Sequence, residues 1–95
     1  MFARIGKGKI KPGARAELGE LCAKLAEQIR ELPGIHLWMN FVTGDDELIV
    51  ISVYPSHAER QATAAENARR WASAEHLIEG SPVFVDAEMT QIVRP

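Results

Sequence analysis

The sequence predicts an α+β fold in which two strand-helix-strand halves meet at a central hairpin. Three observations carry that expectation. Segments with a two-residue apolar period alternate with helical ones in the order strand, helix, strand, strand, helix, strand. The strands are apolar on both faces, so neither face is marked for solvent. Only two helices are available as cover, and a second copy of the chain is expected to cover the rest.

The first strand spans Phe2 to Ile10, with Ala3 and Ile5 on one face and Phe2, Arg4, Gly6 and Gly8 on the other. Its Gly6-Lys7-Gly8-Lys9 run lacks the spacing of a phosphate loop and is taken as plain strand. Pro12 and Gly13 turn the chain into a helix reaching Leu32, because proline suits a first helical turn. Leu18, Leu21, Cys22, Leu25, Ile29 and Leu32 recur at three- and four-residue steps and draw one apolar stripe opposite Glu17, Glu20, Lys24, Glu27 and Arg30. Cys22 is thereby expected in the core. Pro33 and Gly34 end the helix.

The second strand, Gly34 to Val42, puts Ile35, Leu37, Met39 and Phe41 on one face and His36, Trp38, Asn40 and Val42 on the other. Either set could meet the helices. Thr43 to Asp46 are hairpin residues, and Leu48-Ile49-Val50-Ile51, within the strand Glu47 to Tyr54, marks a central strand buried on both sides. Ser56 with Glu59 forms a capping box expected to satisfy two backbone donors at the start of the second helix. That helix is expected to run to about His76 with a stripe of Ala58, Ala62, Ala65, Ala68 and Ala72 toward the sheet, leaving close contact or a cavity beneath it. Asn67 and Trp71 lie one turn apart along the edge of that stripe and could share one pocket. Ser81-Pro82 leads into a last strand from Val83 to Val93.

Composition narrows the function classes. The length of 95 residues allows one domain, 1–95, with a modest core. A formal net charge of -2 gives no general attraction to nucleic acid or anionic lipid. No basic leader with an apolar run and no membrane-length apolar stretch is present, so a cytoplasmic protein is expected. The single cysteine and three histidines have no zinc-ligand spacing, and no dinucleotide loop appears, so neither metal nor cofactor is expected.

The element order is that of a ferredoxin-like βαββαβ fold, a four-stranded antiparallel sheet with both helices on one face. Burial of the other face against a symmetry-related sheet, at roughly 25 cal/mol per Å², makes a two-fold homodimer the economical solution.

Ala3-Arg4-Ile5 leading to Lys11-Pro12-Gly13, the Leu32-Pro33-Gly34-Ile35 turn and the Ser52-Val53-Tyr54-Pro55-Ser56 passage resemble the antibiotic biosynthesis monooxygenase domain family. The resemblance implies two protomers forming a dimeric α/β barrel, with a ligand pocket between helices and sheet in each. Members that oxidise polyketide anthrones use an asparagine and a tryptophan one helical turn apart, and Asn67-Ala68-Arg69-Arg70-Trp71 is similar. A tyrosine and an arginine that assist in such enzymes have no counterpart at matching positions. The resemblance thus implies a cofactor-independent monooxygenase acting on a small aromatic or polyketide-like compound, with Asn67 and Trp71 catalytic and His36, Trp38, Asn40 and His76 as substrate-binding candidates.

Other readings stay open: a non-catalytic ligand-binding or stress-related dimer, a structural dimer module, or a haem-degrading enzyme in which His76 would ligate iron. Haem-degrading relatives also use an asparagine on the first strand, and none occurs between Phe2 and Ile10. An apolar pocket of roughly 300 Å³ or more under the second helix would favour ligand binding over a structural module.

Overall fold

The computed structural model describes residues 1–95. Its elements are β1 (Phe2–Ile10), α1 (Arg15–Arg30), β2 (Leu37–Val42), β3 (Glu47–Tyr54), α2 (His57–Ala62), α3 (Ala64–Ser73), a 3-10 turn (Glu75–Leu77) and β4 (Ile78–Glu88). The strands form one antiparallel sheet in the order β2-β3-β1-β4, the ferredoxin-like arrangement expected from the sequence. β3 is an inner strand, as its unbroken apolar run requires. No helix is long and apolar enough to cross a membrane.

Register decides which side chains meet the helices. Gly6 pairs with Val50 on one side and Phe84 on the other, and Arg4 pairs with Ser52 and Asp86. Directly opposed residues share a face. A Cβ placed on Gly6 would lie 2.5 Å from Trp71 Cζ2, which puts this set on the side of α3. The β2 pairs Trp38 with Ser52 and Asn40 with Val50 place Trp38 and Asn40 on the helix side, settling the face that the sequence left open.

The opposite face carries Leu37, Met39 and Phe41 from β2, Ile49 and Ile51 from β3, Ile5 from β1 and Val83 and Val85 from β4. No helix covers it. Phe41, Val83 and Val85 are 46%, 63% and 51% exposed.

Between helices and sheet lies a core of Ile10, Leu18, Cys22, Leu48, Val50, Ala74, Leu77 and Ile78. The first helix begins at Arg15, later than expected, because Pro12 and Gly13 form a separate turn in which Gly13 adopts φ +77°. Ala14, at the cap position, has no side-chain acceptor for the first amides. Arg15 fastens this end instead, donating to Thr43 O at 2.9 Å and Asp46 Oδ1 at 2.7 Å, so that the helix start is tied to the β2-β3 hairpin.

The second helix departs from expectation in three respects. The second helix is broken at Thr63, whose hydroxyl and amide both turn back to Arg60 O, leaving α2 and α3 as separate pieces. Its alanine stripe faces outward: Ala58, Ala62, Ala65, Ala68 and Ala72 are all exposed, and the inward side of α3 is formed by Ala64, Asn67 and Trp71, with Ala74 just beyond its end. Alanine has little apolar area to lose, so a larger or more constrained neighbour sets the helix rotation. The capping box is half made. Ser56 Oγ accepts from the Glu59 amide at 3.3 Å, but the Glu59 carboxylate reaches toward Gly34, 2.8 Å from where a Cβ there would sit.

The last strand occupies Ile78–Glu88 instead of starting at Val83 and running to Val93. A register shift between Lys7 and Lys9 accommodates Gly80, at φ +66°, and Pro82. β4 is an edge strand, where a missing amide hydrogen is tolerated.

Candidate functional site

A cleft opens between α1, α3 and the helix-facing side of β2 and β3. Its interior is narrow, about 30 Å³, room for roughly two waters and far short of the roughly 300 Å³ that would favour ligand binding over a structural module. Leu18, Leu21, Cys22 and Leu25 come from α1, Trp38 from β2, Leu48 and Val50 from β3, and Asn67, Arg70 and Trp71 from α3, with Ala74 after it. The leucine stripe of the first helix therefore lines a wall as well as filling the core.

Asn67 is the polar exception inside. It is 6% exposed, its backbone N–H donates to Thr63 O at 3.0 Å, and its carboxamide has no hydrogen-bond partner in the chain. The carboxamide oxygen and nitrogen are not among the fully buried polar atoms left without a partner, so solvent in the cleft reaches them and a ligand there would take its place. The carboxamide can donate two hydrogens or accept on its oxygen.

Trp71 owes its position to glycine. Its ring lies over Gly6, where a Cβ would come within 2.5 Å of it, and extends to Gly8, where a Cβ would meet it at 3.4 Å in ordinary contact. Phe84 meets it edge-on with centroids 5.3 Å apart and planes at 87°. Arg4 backs Phe84 in turn, its Cζ 4.1 Å from the ring centroid. Arg4 and Arg60 both approach Asp86, at 3.8 and 3.4 Å, and the Nε atoms of both are buried without a partner. Burial, and then repulsion from Arg60, push the Arg4 pKa down, while Asp86 and Tyr54 pull it up. A chain of contacts thus runs from a two-arginine cluster through Phe84 to the cleft wall.

The sequence-derived site residues divide. Asn67, Trp71 and Trp38 line the same cleft. Asn40 lies on the same side of the sheet, opposite Val50, but off the lining. His36 borders a different hollow, between the end of α1 and β2, that shares Trp38 as a wall. His76 is exposed outside the cleft, its Nε2 3.1 Å from Glu17 Oε2. No group of three or more His, Cys, Asp or Glu side chains is placed to hold a metal ion.

Arg70 and Cys22 line the cleft although the sequence reading did not assign them to a site. Arg70 was legible in principle, since it follows Asn67 by three residues and so shares its face of a helix. Burial pushes the Cys22 thiol pKa up, which keeps it a protonated, apolar wall element.

No protein-family model and no curated protein matches the sequence. Solved structures do match its backbone. A structure described as an antibiotic biosynthesis monooxygenase aligns with a TM-score of 0.80 and 20% identity, over 96% of this chain and 100% of that one. This chain has the antibiotic biosynthesis monooxygenase fold. SnoaB, a cofactor-independent oxygenase from Streptomyces nogalater solved as an asparagine-to-alanine mutant, aligns with a TM-score of 0.78 at 15% identity, over 99% of this chain and 97% of SnoaB. A protein of unknown function from Nitrosomonas europaea gives 0.85 at 23% identity, over 99% of this chain and 93% of that one. The same fold therefore occurs both in an oxygenase and in a protein without an assigned reaction.

Proposed function

We propose that this chain is a cofactor-independent monooxygenase that oxidises a small aromatic or polyketide-like substrate with O2. The observation that carries the reading is the carboxamide of Asn67, without a partner in the chain, in a cleft whose other walls are apolar side chains, two indoles and Arg70. The resemblance of Asn67-Ala68-Arg69-Arg70-Trp71 to the asparagine-tryptophan pair of anthrone oxygenases, and the shared fold with SnoaB, support it.

The chemistry asks the protein for placement more than for electrons. A phenolic substrate with an acidic ring CH2 supplies four electrons as that carbon becomes a carbonyl. O2 accepts them, one oxygen entering the product and the other leaving as water. The substrate carbanion bonds to oxygen to give a peroxide, and loss of water yields the quinone-type carbonyl. In this reading Asn67 donates to the oxygen on which negative charge develops, where a fixed donor away from bulk water acts most strongly. Trp71 and Trp38 offer flat walls for the ring, and neither indole N–H has a partner in the chain.

The working unit in this reading is a homodimer. The uncovered apolar sheet face, with Phe41, Val83 and Val85 exposed, is the surface that a second copy would bury.

Oxygen uptake with a panel of anthrones and phenols tests the proposal. Asn67→Ala should lower the rate by roughly 10²-fold with the melting temperature retained, and Trp71→Phe should be milder. Tight binding of these compounds with no oxygen consumed would replace catalysis by simple ligand binding. Uptake unchanged in Asn67→Ala would remove the amide from the mechanism.

A further inference from the structure

Arg70 carries the one formal charge on the cleft lining, and no carboxylate pairs with it. Its guanidinium takes part in no hydrogen bond and no ion pair; only its carbonyl is engaged, accepting from the Ser73 hydroxyl at 2.6 Å. The same side chain borders the adjoining groove between α1 and α3, where Lys24 and Arg69 join it against the single carboxylate of Glu66. A chain with a formal net charge of -2 therefore sets a cationic rim where its apolar cleft meets solvent.

Chemistry narrows the ligand. A cation beside low-dielectric walls attracts an anion more strongly than it would in open water. Guanidinium presents a planar fork that fits a carboxylate with two parallel hydrogen bonds. One turn back on the same face stands Asn67, 6% exposed as a residue, whose carboxamide has no partner in the chain and stays open to the cleft, and Trp38 and Trp71 supply flat apolar surface.

Resting on the reading of the cleft as an aromatic binding site, we propose that it selects aromatic carboxylates, with the ring against the indoles and the carboxylate on Arg70 at the rim. A neutral analogue with the same ring would leave the arginine unanswered.

Isothermal titration with 2-naphthoate and its neutral counterpart 2-naphthamide tests this. The acid should bind about tenfold more tightly at low salt, a preference that shrinks at high salt because the rim is open to ions. Arg70→Gln should bring the ratio of acid to amide affinity to about one, and Arg70→Lys should retain part of the preference. Melting curves of both variants should match the parent. Equal affinity for the two ligands in the parent, or a preference that survives Arg70→Gln, would overturn the assignment while leaving the aromatic cleft intact. Binding of neither ligand would overturn the aromatic reading and this inference with it.

Discussion

Replacing Gly6 by alanine adds one methyl group at the point where Trp71 lies on the sheet. The new Cβ would stand 2.5 Å from Trp71 Cζ2, 3.0 Å from Phe84 Cε1 and 3.1 Å from Trp71 Cε2. Carbon atoms rest at roughly 3.5–4.0 Å, so the indole must withdraw by about 1 Å while Phe84 blocks one way out. Overpacking of this kind costs about 1–3 kcal/mol, and the reduced freedom of an alanine in the unfolded chain returns about 0.5–1 kcal/mol. The net expectation is a loss of about 1–2 kcal/mol, or about 4–16 °C in melting temperature for a chain of this size. Thermal denaturation followed by circular dichroism, at one protein concentration, measures it. Tryptophan emission should shift in the folded state, since Trp71 is one of only two tryptophans. Two companions calibrate the result. Gly8→Ala meets nothing closer than 3.1 Å, to Ile78 Cγ2, and should cost less. Gly19→Ala, inside α1 with nothing within 4 Å, should stabilise by about 0.5–1 kcal/mol. A Gly6→Ala protein with the parent's melting temperature and emission would refute the reasoning, as would an equal loss in Gly8→Ala.

Asp86→Asn leaves Arg4 and Arg60 facing each other without their shared carboxylate; because Asp86 is 41% exposed, the expected loss is about 1–2 kcal/mol, measured by urea denaturation and partly restored by salt. The Cys22 thiol should react with a disulfide reagent only as the chain unfolds, because burial raises its pKa above the ordinary 9.0. The unfolded thiol ionises first as pH rises, so the part of folding stability linked to Cys22 is intact below pH 9.0 and declines above it, a slope that Cys22→Ala should remove. Val85→Asp places a charge on the uncovered sheet face and should convert the proposed dimer to monomer in light scattering, with a lower melting temperature.

The strands β1 and β3 were legible to the residue because their two-residue alternation and flanking turns are unambiguous. The pairing of Asn67 with Trp71 followed from helical geometry alone. Other features depended on forces that no local pattern records. The outward turn of the alanines follows from Trp71 finding space over Gly6 and Gly8, a contact between residues distant in sequence. Pro82 looked like a strand boundary, yet β4 continues through it because its position at the sheet edge removes the need for an amide donor there. His76 looked like a ligand candidate by its distance from Trp71, but the break into a 3-10 turn swings it to Glu17 on the surface.

The interruption at Thr63 divides what would otherwise be one helix into a mooring and a tool holder. α2 is moored by Ser56 at its start and by Arg60 beside Asp86, whereas α3 holds Asn67, Arg70 and Trp71 against the cleft. A continuous helix would transmit any rotation of one part to the other through its ladder of hydrogen bonds; here the ladder is interrupted. Substitutions that tilt α3 to suit another ligand can therefore leave the mooring undisturbed, so ligand preference can be retuned along residues 64–74 without renegotiating how the helical layer is attached to the sheet.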